Sequence, residues 1–165
     1  MARYLEVRLE KRDVRCVARL LDEKAPRTCE AIWNALPLGG QVYHAKYARN
    51  EIYALVPAFA DPEPGSEHTT ITPIPGDLVY FGFEAWQLSP ATHGYDDEEL
   101  FTGRPVDLAV FYGRNNLLLN PDFGFVPGNV FGAIEEGLDA LAAAAQDLWL
   151  NGAAGEVLSY RRLES

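Results

Sequence analysis

Cysteine is nearly absent from this chain. Only Cys16 and Cys29 occur among 165 residues, and no C-x-x-C pair exists, so neither a disulfide scaffold nor a thiolate metal cluster is available. Basic residues are outnumbered: 14 Lys and Arg stand against 24 Asp and Glu, a formal net charge of −10. That balance argues against a nucleic-acid partner, which needs a basic face, and disfavours an anionic membrane surface. The three histidines, His44, His68 and His93, have no metal-ligand spacing, so no metal is expected. No uncharged apolar run approaches the roughly 18 residues of a membrane span. The alternating start MARYLEVRLEKR lacks the apolar stretch of a secretory leader. These absences predict a cytoplasmic, bacterial-type protein with reduced thiols and no cofactor.

Catalytic signatures are equally sparse. There is no G-x-S-x-G elbow and no Ser/His/Asp order for a hydrolase. The triplet Asp122-Phe123-Gly124 stands without the Gly-rich loop, HRD segment or strand lysine of a kinase. The run Asp96-Asp97-Glu98-Glu99 lacks the alternating ligands and glycine of a calcium loop, and reads as a solvated acidic turn.

What the chain does have is short alternating segments. Residues 3–9 and 14–21 carry Leu5, Val7 and Leu9 on one face and Glu6 and Arg8 on the other, the pattern of a hairpin. Pro26 suits a first helical turn. Cys29, Ile32, Trp33 and Leu36 follow at helical spacing, so Cys29 reads as a small buried apolar residue. Strands are expected at 41–48, 51–56, 78–83, 106–113, near 129–133 and at 156–162. Residues 57–70 form a loop, and 84–104 make a long polar excursion of the kind that is usually a lid or disordered. Ile134, Leu138, Leu141, Ala145 and Leu148 predict a helix over 134–150, with Gly137 inside it at a cost and Asn151-Gly152 as its stop. One domain spanning 1–165 is expected. Many short strands with two helices fit a mainly β, closed eight-stranded barrel capped by helices at about 26–36 and 134–150, since closure removes exposed edges.

Five segments, in order, carry a family resemblance: EAIWNALP (30–37), EIYA (51–54), GDLVYF (76–81), VFYG (110–113) and FGAI (131–134). With the Tyr43-His44 pair, they resemble the cyclophilins, and more closely the small bacterial and archaeal cyclophilin-like proteins of unknown function. The resemblance implies the eight-stranded closed barrel. Prolyl isomerases of that family carry an arginine directly after the aromatic-His pair, and here Ala45 stands in its place. The donor that would polarise the prolyl amide is therefore missing, and isomerase activity is not expected.

The densest collection of reactive side chains lies at 43–53. Period-two alternation puts Tyr43 and Tyr47 on one strand face and Glu51 and Tyr53 on the partner strand, a wall of hydroxyls with one carboxylate. Tyrosines stacking across an outer barrel face would produce the same pattern. Phe111, Arg114 and Asn115 follow at the end of the VFYG strand, where donors gather at a barrel mouth. Arg49 completes the set. The resulting expectation is a barrel-mouth pocket that binds a small polar molecule through Tyr43, Tyr47, Arg49, Glu51, Tyr53, Phe111, Arg114 and Asn115. Two rival readings are an amide or cyclic-amide hydrolase or isomerase with His44 or Glu51 as general base, and a structural protein that self-associates into a homo-oligomer through 84–104.

Overall fold

The computed structural model describes residues 1–88 and 103–164. In chain order they form β1 (Tyr4–Leu9), β2 (Val14–Leu20), α1 (Pro26–Ala35), β3 (Leu38–His44), β4 (Glu51–Pro57), β5 (Thr69–Thr70), β6 (Asp77–Gly82), β7 (Pro105–Phe111), β8 (Leu119–Asn120), β9 (Gly124–Phe125), β10 (Gly128–Glu136), α2 (Leu138–Asn151) and β11 (Val157–Arg162). A short 3-10 turn covers Ala85–Leu88. Residues 89–102 of the 84–104 excursion, including His93 and the acidic run, lie outside the described residues.

Eight strands run β2-β1-β11-β3-β4-β7-β6-β10, and β10 pairs back onto β2 to close the ring. All of these pairings are antiparallel. The fold is the expected mainly β, closed eight-stranded barrel with two helices. Alternation decides what fills it. Leu5, Val7, Leu9, Cys16, Ala18, Val42, Ile52, Ala54, Leu108, Val110, Leu158 and Tyr160 belong to one continuous core to which every barrel strand contributes. Only the interior of a closed barrel can collect side chains from all its strands. Cys29 and Ile32 of α1 and Leu141, Ala145 and Leu148 of α2 join the same core. At Gly39, where β3 meets β11, an added Cβ would sit 2.8 Å from the Leu158 carbonyl, so the two backbones approach closely only because no side chain intervenes.

Helix α1 has no local cap: Ala25 occupies the N-cap position without a side-chain hydrogen bond. The loop residue Glu67 replaces it, its Oε1 accepting from the Thr28 N–H at 2.8 Å and its Oε2 from the Arg27 N–H at 3.2 Å. A carboxylate there also meets the positive end of the helix dipole.

Two boundaries differ from expectation. The helix predicted over 134–150 begins only at Leu138, and Ile134 belongs to β10. Gly137 is the reason: at φ 87 it is the left-handed N-cap at which strand turns into helix, not a helical residue. The strand predicted over 41–48 starts earlier, at Leu38, and stops at His44, because the chain then turns through 45–50 with Arg49 at φ 82. The short pairs β5, β8 and β9 carry too few residues for alternation to reveal them.

Candidate functional site in the outer barrel wall

All seven residues of β7 are buried. Val106, Leu108 and Val110 face the barrel interior. Asp107, Ala109 and Phe111 therefore point outward, yet they too are covered. Their neighbours in register are Glu51, Tyr53 and Leu55 of β4 on one side and Val79 and Phe81 of β6 on the other. Together with Ala45, Ala48, Phe83, Leu88, Leu118 and Val130 these outer faces build a second apolar core outside the barrel. Between it and the covering loops lies a small, partly open cleft.

The cleft is lined mainly by carbon: Tyr53, Phe81, Phe83, Leu88, Phe123 and Val126. Its polar floor is Glu51 and Asp107, only 5% and 7% exposed. Asp107 Oδ1 is buried without a hydrogen-bond partner among the described residues. Burial disfavours the charged form, and it pushes the Glu51 carboxyl up to about 8. Burial, reinforced by the charge of Glu51, likewise raises Asp107 well above its ordinary value.

Other buried carboxyls of the chain are treated differently. Glu156 is wholly buried yet accepts from the Lys11, Arg12 and Val157 backbone N–H groups and from the Arg12 guanidinium. Burial alone would raise its pKa, but these donors hold it below the usual value. At Glu67 burial is likewise outweighed by the Thr28 and Arg27 donors. The contrast singles out Glu51 and Asp107 as acids for which the described residues provide no donors.

The expected site residues divide. Tyr47, Glu51 and Tyr53 line the cleft. Phe111 is fully buried beneath it, in the outer core. Tyr43 stacks on Tyr53 across the β3–β4 pair at 5.6 Å, and so supports the wall from the side. Arg49 and Asn115 fall into a second depression with His44, Tyr112, Gln146 and Trp149. Arg114 is exposed, and what it contributes is its carbonyl, which accepts from the Asn50 side-chain amide at 2.8 Å. The two depressions share Ala45, Lys46 and Tyr47, so the 45–50 turn forms a ridge between them. Asn116 fixes that ridge: its Oδ1 accepts from the Asn50 N–H at 3.0 Å, while its Nδ2 donates to the Pro73 and Gly113 carbonyls.

Asp107 was not anticipated from sequence, although a signal existed: it is the one charged residue inside the apolar strand PVDLAVF. Phe123, Leu118 and Val126 reach the cleft from irregular segments without periodicity, and no sequence signal marks them.

His44 is fully engaged. Its Nδ1 lies 2.9 Å from the Ala45 carbonyl, which can only accept, so Nδ1 carries the proton. Nε2 then accepts from the Tyr112 hydroxyl, to which Gln146 donates at 3.2 Å. Burial lowers the pKa of His44, consistent with a neutral ring. Among the described residues no group of His, Cys, Asp and Glu side chains could hold a metal ion, and no helix is long and apolar enough to cross a membrane.

A family model described as a protein of unknown function, DUF3830, matches residues 7–160, from β1 into β11. The chain belongs to the DUF3830 family. Comparison with curated proteins returns no match. Among solved structures, the DUF3830 barrel is similar to McbB, in a structure described as McbB in complex with tryptophan, with 20% identity and a TM-score of 0.68. That likeness covers 98% of this chain but 45% of McbB, so the chain spans less than half the length of that relative. A hypothetical protein of Archaeoglobus fulgidus, solved in solution, is similar at 20% identity and a TM-score of 0.55, over 98% of this chain and 95% of that one. At such identities the likeness is one of fold.

Proposed function

We propose that this chain binds a small molecule in the outer-wall cleft, over Glu51 and Asp107. The observation that carries the reading is the pair of buried carboxyls at the floor of an aromatic-lined space, with Asp107 Oδ1 unpartnered among the described residues, in a fold that gives donors to Glu67 and Glu156. Buried polar groups left without partners cost about 1–3 kcal/mol each, and groups so perturbed gather at functional sites. The barrel's likeness to McbB, whose structure holds tryptophan, supports a ligand with an apolar ring. This reading puts the pocket on the outer wall, where Tyr47, Glu51 and Tyr53 lie, and not at the barrel mouth.

The cyclophilin-like sequence features agree with the closed barrel and two helices. Prolyl isomerisation is not part of the proposal: Ala45 lines the cleft, and no arginine lines it among the described residues. A second reading is acid–base chemistry on an amide or cyclic amide. Its support is Glu51, whose value of about 8 is suited to proton transfer near neutrality. His44 is the weaker candidate, because Tyr112 occupies its acceptor nitrogen.

A thermal-shift screen of ring-containing metabolites tests the proposal. A saturable rise in melting temperature in the wild type, lost in Ala48→Phe, which fills the cleft, is the expected result. An equal rise in both proteins would place the ligand elsewhere.

A further inference from the structure

The cleft requires more of its occupant than the right shape. Among the described residues its ionisable and charged lining is Lys46 and Tyr47 on the turn, Glu51 and Tyr53 on β4, and Asp107 on β7. Behind β7, in the interior, the Tyr160 hydroxyl donates to the Leu108 carbonyl at 3.0 Å and so offers the acids nothing. Lys46 and Tyr47 are exposed at the rim. Asp107 is more than nine-tenths buried, lines the cleft, and has an oxygen without a partner among the described residues.

A group that completes such a floor must bring N–H donors. Positive charge strengthens those hydrogen bonds about twofold over neutral ones. An anionic group is disfavoured, since it would meet two acids. The surrounding Phe81, Phe83 and Phe123 require an apolar body, and their ring faces attract a cation where water is excluded. We infer that the cleft takes a small organic amine, its protonated nitrogen donating to Glu51 and Asp107 and its apolar body against the phenylalanines. This rests on the reading of the cleft as the ligand site and adds the chemical class.

Binding then moves one proton. The O–H bond of one carboxylic acid breaks, the proton passes to bulk water, and the carboxylate formed accepts from the ammonium. Because burial keeps the Glu51 carboxyl protonated up to about 8, the amine binds more weakly as the pH falls.

Calorimetric titration of the full chain with 2-phenylethylamine, 2-phenylethanol and 3-phenylpropionate tests this, since the three probes share one ring and differ in the end group. The expected result is at least tenfold preference for the amine, about 1.4 kcal/mol. Its affinity should rise about tenfold per pH unit from about pH 6 to about pH 7, with a heat that depends on the ionisation enthalpy of the buffer. Glu51→Gln and Asp107→Asn, each checked for native circular dichroism, should each erase the preference. If the alcohol binds as tightly as the amine and Ala48→Phe abolishes both, the amine inference falls while the site stands. If none of the probes gives a saturable heat, the amine inference is overturned, and the site is judged by the metabolite screen against Ala48→Phe.

Discussion

Glu156 and Lys11 are separated by 145 positions in the chain and joined by a 2.7 Å hydrogen bond, the Lys11 backbone N–H donating to Glu156 Oε1. With the Arg12 and Val157 donors, this single side chain ties the β1–β2 turn to the start of β11. Glu156→Gln keeps the size of the side chain but loses its charge and one acceptor oxygen. A loss of about 1–3 kcal/mol at neutral pH is expected in urea unfolding. The donors hold the folded carboxyl below its unfolded value, so its contribution is present above the usual glutamate range and is lost as the pH falls through the folded value. The wild type and the variant should therefore converge in acid.

Glu51 behaves in the opposite sense. Its folded carboxyl titrates near 8, above the ordinary value, so the folded state binds the extra proton. The stability linked to it is fully present below the unfolded pKa and has been lost once the pH has risen through about 8. Glu51→Gln should flatten this dependence and gain about 1–3 kcal/mol at mildly alkaline pH. Denaturant midpoints measured across that window decide it, and a variant with the same slope as the wild type would contradict the assignment.

The remote cap on α1 predicts a coupling. Thr28 donates to Glu67 from both its backbone and its hydroxyl, and Asn129 bridges the two by donating to the Thr28 hydroxyl at 3.2 Å and accepting from the Glu67 N–H at 3.0 Å. Glu67→Ala should cost about 1–2 kcal/mol. Thr28→Ala and Glu67→Ala combined should cost less than the sum of the singles by about 0.5–1 kcal/mol. Strict additivity would mean that the network does not act as a unit.

Arg49 sits at φ 82 in the ridge between the two depressions. A side chain in that left-handed region costs about 1 kcal/mol, and glycine pays none of it. Arg49→Gly should raise stability by up to about 1 kcal/mol in thermal unfolding. Its effect on binding in the cleft should be small, since Arg49 lines the other depression.

Sequence revealed most of the barrel and part of the candidate site, for physical reasons. Strands β1, β2 and β7 were legible because one face had to be apolar for the interior to close, and Leu5, Val7 and Leu9 state that requirement directly. Gly137 misled because a glycine within an apolar period looks like a tolerated flaw, whereas its positive φ makes it the boundary itself. The tyrosines and Glu51 were legible because they cluster on a hairpin. Their companions Phe123, Leu118 and Val126 come from loops, where position is set by tertiary contact and leaves no period to read. Arg49 was grouped with Glu51 because it is near it in sequence, and Asn115 because it follows the end of the VFYG strand. Both line the depression on the other side of the 45–50 ridge.

β7 has no face turned to water. Leu108 presses on the barrel interior and Ala109 on the floor of the outer core, and the same few peptide units carry both. Such a strand is a party wall between two rooms. A bulkier residue introduced at Leu108 would shift the floor beneath Glu51 and Asp107 without touching either, and a molecule seated outside would stiffen the barrel within. On the proposed reading, the grip on a ligand would answer to residues that the ligand never meets.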